Sequence, residues 1–572
     1  MRHVCSLILI LIHAINFAAV AKSSDINQKK KSVYIEGYIP NPQAPETGVR
    51  KVYLLIENGL IKKKSHSKFV VQDNVRKITE KQYGPMLLSS GFIDLHGHLK
   101  YHVIPLWKEA QGQFGNRFDW RAKTSYKQNV TSYLNNDALG SSSDPQSLYC
   151  QTYHYAEIKA LVGGVTSVQG IGQDSTCTAG LFARNVEIQS DYNESTDIRV
   201  SSEMINPNSS NYLQNSILPE VIRNNQSIDA VFTEKLAIAS ETSTTVPSAF
   251  KSFMELRTHY LKYFSRIVPI GDIRGFIAHL SEGRRQDFYN KLEYKAARVA
   301  GLTQKGLIII HGVGLDEQDF IHASQNEINF VWSPFSNLLL YGETFDVKKA
   351  IHYGLNVSLG SDWSPSGSKN LLDEAKIAKK YLSLKNEHIS DRKIYEMMTI
   401  NPAKALKLDH KLGRLDENYL GDIVAFKLKS FRSNPFTQII ESHPSDIQFV
   451  MVGGQMVVAK ERLTHSSSNF DSLLSKDDLN KYSKCSVYKT TKIAHGLLSY
   501  SDLVENLKTV FPVLDTPTSC NDDYYTQSTQ QIPLLIKNGQ LSQQNDDQES
   551  QKFYPLNKQL QSLLSPNHRT ND

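Results

Sequence analysis

The sequence has little net charge, few cysteines and no long apolar run beyond its first residues. Its 572 residues carry 64 Lys and Arg against 58 Asp and Glu, so the net charge is +6. This excess is too dilute to form the basic surface that binds nucleic acid or anionic lipid. Hydrophobic residues make up 40% and charged residues 21%, which excludes a disordered polyelectrolyte and a polytopic membrane protein. A globular protein with a small-molecule substrate remains, and a homo-oligomer is left open.

Several catalytic motifs are also missing from the sequence. There is no Gly-x-Ser-x-Gly nucleophile elbow and no Walker loop. The Pro-Cys-x-x-Cys signature of cysteine-ligated zinc deaminases is absent as well. These absences argue against serine hydrolases, nucleotide-triphosphate hydrolases and that class of deaminase.

Residues 1–21 are typical of a signal peptide. Arg2 and His3 precede an apolar stretch that ends in Ala-Val-Ala at residues 19–21, the small-x-small pattern that precedes a cleavage site. His13 and Asn16 interrupt the stretch, which favours cleavage over a retained anchor helix. We therefore expect a secreted or periplasmic protein with no stable membrane insertion after cleavage.

Four cysteines remain after cleavage, an even number in a chain expected to reach an oxidising compartment. We expect Cys150 to pair with Cys177 and Cys485 with Cys520, one of three possible connectivities. Free buried thiols are the alternative, because four cysteines in so long a chain do not make a disulfide framework.

The middle of the chain predicts an α/β fold. Apolar β-rich runs alternate there with longer helical stretches, the pattern of βα units around a buried parallel sheet. An eighth run is expected within 205–273. Seven runs can be named: 87–95, 165–169, 198–204, 275–280, 306–310, 328–332 and 355–359. Seven or eight parallel strands predict a (β/α)8 TIM-like barrel over 91–409. Short strands also occur on both sides of it, and residues 465–572 form a polar extension, expected to be accessory or partly disordered.

The strand that begins at Gly91 ends in His96-Gly97-His98. Side chains two apart on a strand point the same way, so the two imidazoles converge at its C-terminal end. A barrel places its active site at that end of its strands, and histidine is the commonest metal ligand. A His-x-His pair alone is weak evidence, because histidine pairs also occur on protein surfaces.

Later strands end in the same types of residue. The strand at 275–280 carries His279, the strand at 306–310 is followed by His311, and the strand at 355–359 is followed by Asp362. Each alone fits a hydrogen-bonded core histidine or a capping aspartate. Together with the His-x-His pair they indicate a metal site at one end of a barrel.

The sequence resembles the metal-dependent amidohydrolase superfamily, in particular its aminohydrolase branch of deaminases, triazine hydrolases and imidazolonepropionase. The resemblance covers about residues 50–460. It depends on these segments: Gly91 to His98, Gly163 to Val168, His279-Leu280-Ser281-Glu282, His311-Gly312-Val313, Ser333 to Leu338, Gly360-Ser361-Asp362 and Asn401-Pro402-Ala403. It implies a small β-sandwich built from both flanks of the barrel, which matches 32–90 and 410–460.

The resemblance also implies a set of site residues. One divalent metal would be held by these four: His96, His98, His279 and Asp362. His311 would contact the water or substrate, and Glu282 would shuttle protons, with the alternative that it orients a metal-bound histidine. Zinc is the metal expected, with iron and manganese as alternatives. Relatives with two metals use a carboxylated lysine, and no lysine stands at a clear strand end here.

The substrate is less well defined by the sequence. Trp332, Tyr341 and Trp363 are candidates for the aromatic walls of a flat-ring site, or they pack beneath the barrel rim. Asn337 is a further candidate substrate-binding residue. The leading interpretation is an exported metal-dependent hydrolase of non-peptide C–N bonds, acting on a cyclic amide, amidine or aminated heterocycle. The alternatives are a dipeptidase or acyl-amino acid hydrolase of the same fold, and a non-catalytic binding protein.

Overall fold

The structure is a computed structural model. It describes residues 32–172, most of 175–201, 275–460 apart from some positions between 288 and 302, and short C-terminal pieces, chiefly 500–515 and 530–540. The strands are Val33–Pro40 (β1), Val49–Glu57 (β2), Leu60–Ser65 (β3), Arg76–Ile78 (β4), Met86–Ser90 (β5), Phe92–Asp94 (β6), Val165–Val168 (β7), Arg184–Asn185 (β8), Ile198–Ser201 (β9), Gly275–Leu280 (β10), Leu307–His311 (β11), Asn329–Trp332 (β12), Val357–Leu359 (β13), Ile423–Lys427 (β14), Ile447–Val452 (β15), Gln455–Lys460 (β16), Phe470–Ser472 (β17) and Tyr488–Thr491 (β18).

Helices with six or more residues are Arg117–Ala122 (α1), Leu148–Val162 (α2), Glu317–Gln325 (α3), Pro334–Tyr341 (α4), Val347–His352 (α5), Leu371–Leu384 (α6), Asp391–Met398 (α7), Ile400–Ala405 (α8), Pro435–Ile440 (α9) and Tyr500–Lys508 (α10). Shorter helical segments lie at Glu80–Tyr83, Leu99–Val103, Thr124–Tyr126, Lys127–Thr131, Ser132–Leu134, Asp137–Leu139, Ser175–Thr178 and Pro444–Asp446. Residues 530–540 are also helical. In the described part of the chain, no helix combines the length and apolar character needed to cross a bilayer.

Strands from both flanks join one mixed sheet. Its order is β17-β18-β16-β15-β14-β5-β1-β2-β3, and β4 pairs with β1. The contact between the two flanks is the antiparallel pair of β14 and β5. A buried apolar cluster that includes Ile35, Leu54 and Phe449 draws on strands from both flanks.

Eight short strands between these flanks run parallel. Five form the sheet β13-β12-β11-β10-β9, and three form the sheet β6-β7-β8. A parallel bridge between Gly97 and Asp362 joins the segments that follow β6 and β13, so the two sheets meet where these strands end. This arrangement is an α/β fold with parallel strands, as the alternating pattern predicts.

Side chains on these parallel strands alternate between two apolar clusters. In β11, Ile308 and Ile310 belong to the cluster that also contains Ile93 and Val331. Leu307 and Ile309 belong to the larger cluster that includes residues of α2, α5 and α6. The parallel strands are therefore buried on both faces, which explains their continuous apolar sequences.

The predicted strands agree with the observed ones, with two differences. The predicted run 87–95 is two strands, because the chain leaves the mixed sheet at Ser90 and enters a parallel sheet at Phe92. The eighth parallel strand of the described residues is β8, which has only two residues and no periodicity that sequence patterns can detect. Residues 205–273, the signal peptide and the pair Cys485 and Cys520 lie outside the described residues.

Two pieces of the polar C-terminal extension pack against the rest of the chain. Leu503 belongs to the larger of the two clusters above. Five other side chains from 507–535 are buried in an aromatic cluster with Trp120 and Trp363: Leu507, Phe511, Leu514, Ile532 and Leu535. Asp515 N donates to Val103 O at 3.0 Å. These pieces are therefore part of the packed structure.

Cys150 and Cys177 form a disulfide, which confirms the predicted pairing of these two residues. The bridge joins the first turn of α2 to the short helix Ser175–Thr178 across 27 residues of sequence. Both cysteines are completely buried. The bridge therefore closes, from inside the core, a loop that contains most of α2 and all of β7.

We expect the double change Cys150→Ser and Cys177→Ser to lower the free energy of unfolding by about 3–4 kcal/mol, because a closed loop of this length restricts the unfolded chain. Urea unfolding of the two proteins measures the difference. Adding dithiothreitol to the wild type should reproduce most of the loss and leave the double variant nearly unchanged. A double variant as stable as the wild type would contradict the prediction.

Candidate metal centre and active site

The candidate site lies where the parallel strands end. His96 and His98 follow β6, His279 is the fifth residue of β10, and His311 is the last residue of β11. Asp362 follows β13 by three residues, and its backbone N–H donates to His96 O at 2.7 Å. The structure thus brings together the five predicted ligand-type residues from four strands.

The nitrogen and oxygen atoms of these side chains face one another. His96 Nε2 lies 3.0 Å from His279 Nε2 and 3.3 Å from Asp362 Oδ1. His98 Nε2 lies 3.6 Å from the same carboxylate oxygen. The side chain of His96 is fully buried, whereas that of His98 is 30% exposed, which puts His98 on the solvent side of the site.

The protonation of the three imidazoles suits a cation. Burial holds the pKa of His96 and of His279 well below the ordinary value, and it lowers that of His98 to about 4. The imidazoles are therefore neutral at pH 7 and present lone pairs. Burial also raises the pKa of Asp362, and the negative charges of Glu282 and Asp94 add to this effect.

This donor set fits a divalent metal ion. Two neutral imidazole nitrogens only 3.0 Å apart repel each other through their lone pairs unless a proton or cation lies beside them. Imidazole and carboxylate groups are the ligands that zinc accepts in open catalytic sites. Two overlapping groups meet the distance needed for a shared ion: His96, His279 and His311, and His96, His98 and Asp362.

Buried neighbours hold these ligands in place. His96 Nδ1 lies 2.7 Å from Ser333 Oγ, and when Nδ1 donates to this hydroxyl, Nε2 keeps its lone pair for the site. Asp94 accepts from the backbone N–H groups of His96 and Ser361 at 3.1 and 3.2 Å. Burial raises the pKa of Asp94 to about 6. Sequence reasoning missed Asp94, although its place two residues before His96 was a usable signal.

Glu282 lies beside the metal ligands and makes two different contacts. Its Oε1 accepts a hydrogen bond from Tyr341 Oη at 2.6 Å, and its Oε2 lies 3.7 Å from His311 Nε2. Burial alone would raise the pKa of Glu282, but the electrostatic interactions with His311, Arg117 and Arg121 and the hydrogen bond from Tyr341 lower it. Glu282 is therefore an ionised carboxylate that can accept a proton.

A buried ion pair fixes the loop that carries Glu282. Arg117 donates to both carboxylate oxygens of Glu293, at 2.8 and 3.1 Å. Glu293 also accepts from Ser281 N at 2.7 Å, and Arg117 N donates to Glu282 O at 3.3 Å. The two residues of this pair therefore hold the backbone on both sides of the Glu282 side chain.

Three residues of the site have left-handed backbones, although none is glycine. The φ angles are +54° at Ser281, +72° at His311 and +60° at Asp362. Side chains with a Cβ seldom adopt this conformation, and such positions concentrate at functional sites. At all three, the chain turns sharply at or just after the end of a strand.

Two of the predicted substrate-binding residues do not face the site. Trp332 is fully buried in the larger cluster, where its Nε1 donates to Thr344 Oγ1 at 2.8 Å. Asn337 uses both ends of its amide: Oδ1 accepts from His311 Nδ1 at 2.8 Å, and Nδ2 donates to Thr344 Oγ1 at 3.0 Å. Both side chains are thus engaged in contacts within the protein, and their contact with substrate stays a prediction. Asn337 orients His311 so that Nε2 points toward Glu282.

Trp363 does lie beside the site. Its ring centroid is 5.7 Å from that of His98. Tyr101, Trp120 and Tyr126 surround it, with centroid distances of 4.9, 5.8 and 6.1 Å. Together these four rings form an aromatic wall next to His98, the most exposed of the candidate ligands.

Comparisons with known proteins agree with this geometry. Residues 271–457 match the amidohydrolase family. The chain is 29% identical over 194 residues to a 5-methylthioadenosine/S-adenosylhomocysteine deaminase of Pyrococcus horikoshii, a match that covers 32% of this chain and 46% of the relative. It is 29% identical over 203 residues to the protein of the same description from Caldicellulosiruptor saccharolyticus, covering 33% and 47%. The matched region thus spans about half the length of these relatives.

Solved structures share the fold at low sequence identity. A zinc-bound adenosine deaminase from Xanthomonas campestris has a TM-score of 0.53 and 14% identity, and the match covers 84% of this chain and 98% of that one. A zinc-bound atrazine chlorohydrolase from Arthrobacter aurescens has a TM-score of 0.54 and 15% identity, with coverages of 84% and 100%. These similarities support a TIM-barrel-like α/β fold.

Proposed function

We propose, from the match of residues 271–457 to the amidohydrolase family, that the protein is a metal-dependent hydrolase of non-peptide C–N bonds. The observation that carries the proposal is the convergence of three neutral imidazoles and one carboxylate on a single point, with the ionised Glu282 beside them. Relatives described as deaminases favour an aminated heterocycle as the substrate class.

The roles of the residues follow from their positions. His96, His98, His279 and Asp362 would hold one divalent ion, and the zinc in two structural neighbours supports zinc. The ion would supply Lewis-acid activation of the attacking water. Asp362 lies where it can accept the proton of that water. Glu282 Oε2 faces the site, and as an ionised carboxylate it would first take up the second proton of that water and then deliver it to the nitrogen that leaves. His311, whose Nε2 lies 3.7 Å from Glu282 Oε2, would contact the water or the substrate.

The proposal extends to the architecture and the location. The bridge between Gly97 and Asp362 supports closure of the parallel strands into a (β/α)8 barrel over 91–409. The mixed sheet supports a composite β-sandwich from 32–90 and 410–460. The disulfide between Cys150 and Cys177 supports an oxidising compartment, in agreement with export.

Metal content and product formation test the function together. We expect the purified protein to hold about one equivalent of zinc, iron or manganese, and to release ammonia from one or more members of a panel of adenosine derivatives, guanine and amino-triazines. His96→Ala should remove both the metal and the activity, because it deletes a buried ligand. His388→Ala, at an exposed position far along the sequence, is the matched control and should keep both.

Three results would contradict the proposal. A metal content of less than a few tenths of an equivalent that His96→Ala leaves unchanged would exclude a metal site. Release of free amino acids from dipeptides without ammonia from heterocycles would favour a dipeptidase. A full equivalent of metal with no turnover across both panels would favour a binding protein.

A further inference from the structure

Tyr341 makes a chain of two hydrogen bonds that leads to the site. It is the last residue of α4 and is completely buried. Its hydroxyl oxygen lies 2.8 Å from Trp120 Nε1 and 2.6 Å from Glu282 Oε1. Trp120 comes from α1, so the chain connects three separate segments of the fold.

The direction of both hydrogen bonds is fixed by chemistry. An indole N–H can only donate, so the Tyr341 oxygen must accept from Trp120. The single hydroxyl proton of Tyr341 is then free to go to the Glu282 carboxylate, which accepts. Burial and the neighbouring carboxylate raise the pKa of Tyr341 well above the ordinary value, so the hydroxyl keeps this proton. Trp120 thus selects the rotamer of the hydroxyl that points at Glu282.

This hydrogen bond makes the two oxygens of Glu282 unequal. Oε1 is occupied by Tyr341, whereas Oε2 lies 3.7 Å from His311 Nε2, too far for a hydrogen bond. The carboxylate cannot rotate about its last bond without breaking a charge-assisted hydrogen bond. Oε2 is therefore the oxygen that remains available to exchange a proton.

The backbone at Tyr341 is held from three sides. Arg284 Nε donates to Tyr341 O at 3.1 Å. Gly342, which follows, has a φ of +71°, and a Cβ built on it would lie 2.4 Å from Gly539 Cα of the C-terminal helical segment 530–540. Gly112 N donates to Leu339 O at 2.6 Å. The close contact of Gly342 with Gly539 leaves little room for Tyr341 to withdraw.

We propose that Tyr341 is a positioning residue that holds Glu282 Oε1 and so presents Oε2 as the proton-transfer atom. The role depends on the proposed function, since it concerns the proton that Glu282 carries. Tyr341 acts through Glu282 and is not itself the acid or base.

The first measurement compares Tyr341→Phe with the wild type. This change removes only the hydroxyl, so the ring still fills its space. We expect kcat to fall about 10- to 100-fold, part of the 10²–10⁴-fold contribution of a general acid or base, with KM within about twofold. Tyr395→Phe is the matched control, because that hydroxyl lies 3.0 Å from Ser89 Oγ on β5 of the mixed sheet. It should leave both constants unchanged.

The second measurement does not depend on turnover. The chain has four tryptophans, so an NMR spectrum of the indole N–H groups contains few signals. The signal that disappears in Trp120→Phe belongs to Trp120. We expect this signal to shift in Tyr341→Phe and also in Glu282→Gln, because the acceptor of Trp120 is polarised by the charge on Glu282. Tyr395→Phe should leave it in place.

The outcomes separate the two proposals. Either of two results would overturn the role of Tyr341. One is an unchanged kcat in a folded Tyr341→Phe protein, and the other is a Trp120 signal that does not shift in Glu282→Gln. A wild-type protein that holds zinc but hydrolyses nothing would contradict the proposed function. In that case the indole signal would still decide whether Tyr341 holds Glu282.

Discussion

Glu282→Gln is expected to lower kcat by about 10²- to 10⁴-fold, the usual contribution of a positioned general acid or base. An amide keeps the shape of the side chain and can still accept the hydrogen bond from Tyr341. It cannot take up and release a proton at Oε2. The change therefore removes the proposed proton transfer with little disturbance of the packing.

Metal content distinguishes this effect from loss of the metal centre. Glu282 is not among the four proposed ligands, so Glu282→Gln should retain the same equivalent of metal as the wild type. Steady-state kinetics on an active heterocycle and elemental analysis of the same sample provide the two measurements. A variant that loses its metal together with its activity would show that Glu282 supports the ligands instead of carrying a proton.

Glu157→Gln is the matched control for this experiment. Glu157 is also buried, and its Oε1 accepts from Ala183 N at 2.6 Å. Burial raises its pKa to about 8, so at pH 7 the group is mostly a neutral acid, which an amide imitates. We expect kcat to stay within about twofold of the wild type, since Glu157 moves no proton in the reaction.

The sequence was sufficient to predict which side chains meet at the site. Parallel strands end at a common edge, so polar residues after each strand are brought together whatever their separation along the chain. This argument located His96, His98, His279, His311 and Asp362. It needed no detail of packing, because the apolar runs before each residue mark the strands.

His311 shows where alternation along a strand stops being a guide. Ile308 and Ile310 face the cluster nearest the site, so a regular strand would turn His311 to the other face. Its left-handed φ of +72° changes that direction, and its ring centroid lies 4.7 Å from that of His96. A backbone conformation of this kind cannot be inferred from residue types.

Trp332 shows the opposite case, because its side chain follows the alternation of a regular strand. Val331 faces the cluster nearest the site, and Phe330 and Trp332 face the outer cluster. Alternation along the predicted strand 328–332 places Trp332 on the same outer face as Phe330. The contact of Tyr341 with Glu282, by contrast, joins residues 59 positions apart through side-chain packing, which no sequence pattern specifies.

The C-terminal extension was underestimated for a compositional reason. Its polar average hides a stripe at Leu503, Leu507 and Phe511, spaced four residues apart on one face of α10 and the turn after it. Such a stripe indicates a helix that packs on a core. What the stripe packs against, and the burial of Asp515 beside it, follow only from the folded structure.

Asp515→Asn is expected to destabilise the protein by about 3–5 kcal/mol, the usual cost of removing one partner of a buried ion pair. Lys159, in the last turn of α2, is fully buried, and its ammonium group contacts the Asp515 carboxylate and donates to His102 O at 2.7 Å. Lys369 Nζ lies 3.4 Å from the other oxygen of Asp515. Loss of the carboxylate removes the negative charge that directly contacts the buried Lys159 ammonium group.

The loss should depend on pH in a direction set by Lys159. Burial lowers its pKa in the folded protein to about 8, from 10.5 in the unfolded chain. The unfolded chain therefore binds more protons between these values, and the wild type gains stability as pH rises through this window. Without Asp515 the pKa of Lys159 in the folded protein falls further. The variant should therefore lose the most stability below pH 8. Above pH 8 the loss should be smaller, because Lys159 of the folded wild type also releases its proton there.

Urea unfolding of both proteins at pH 6, 7, 8 and 9 measures this difference. Asp416→Asn is the matched control, because Asp416 pairs with Lys64 at 2.7 Å in a partly exposed position. Exposed pairs contribute about 0–1 kcal/mol, so the control should change little at any pH. An Asp515→Asn protein as stable as the control, or a loss that grows with pH, would show that Asp515 does not neutralise Lys159 and that the extension is held by its apolar side chains alone.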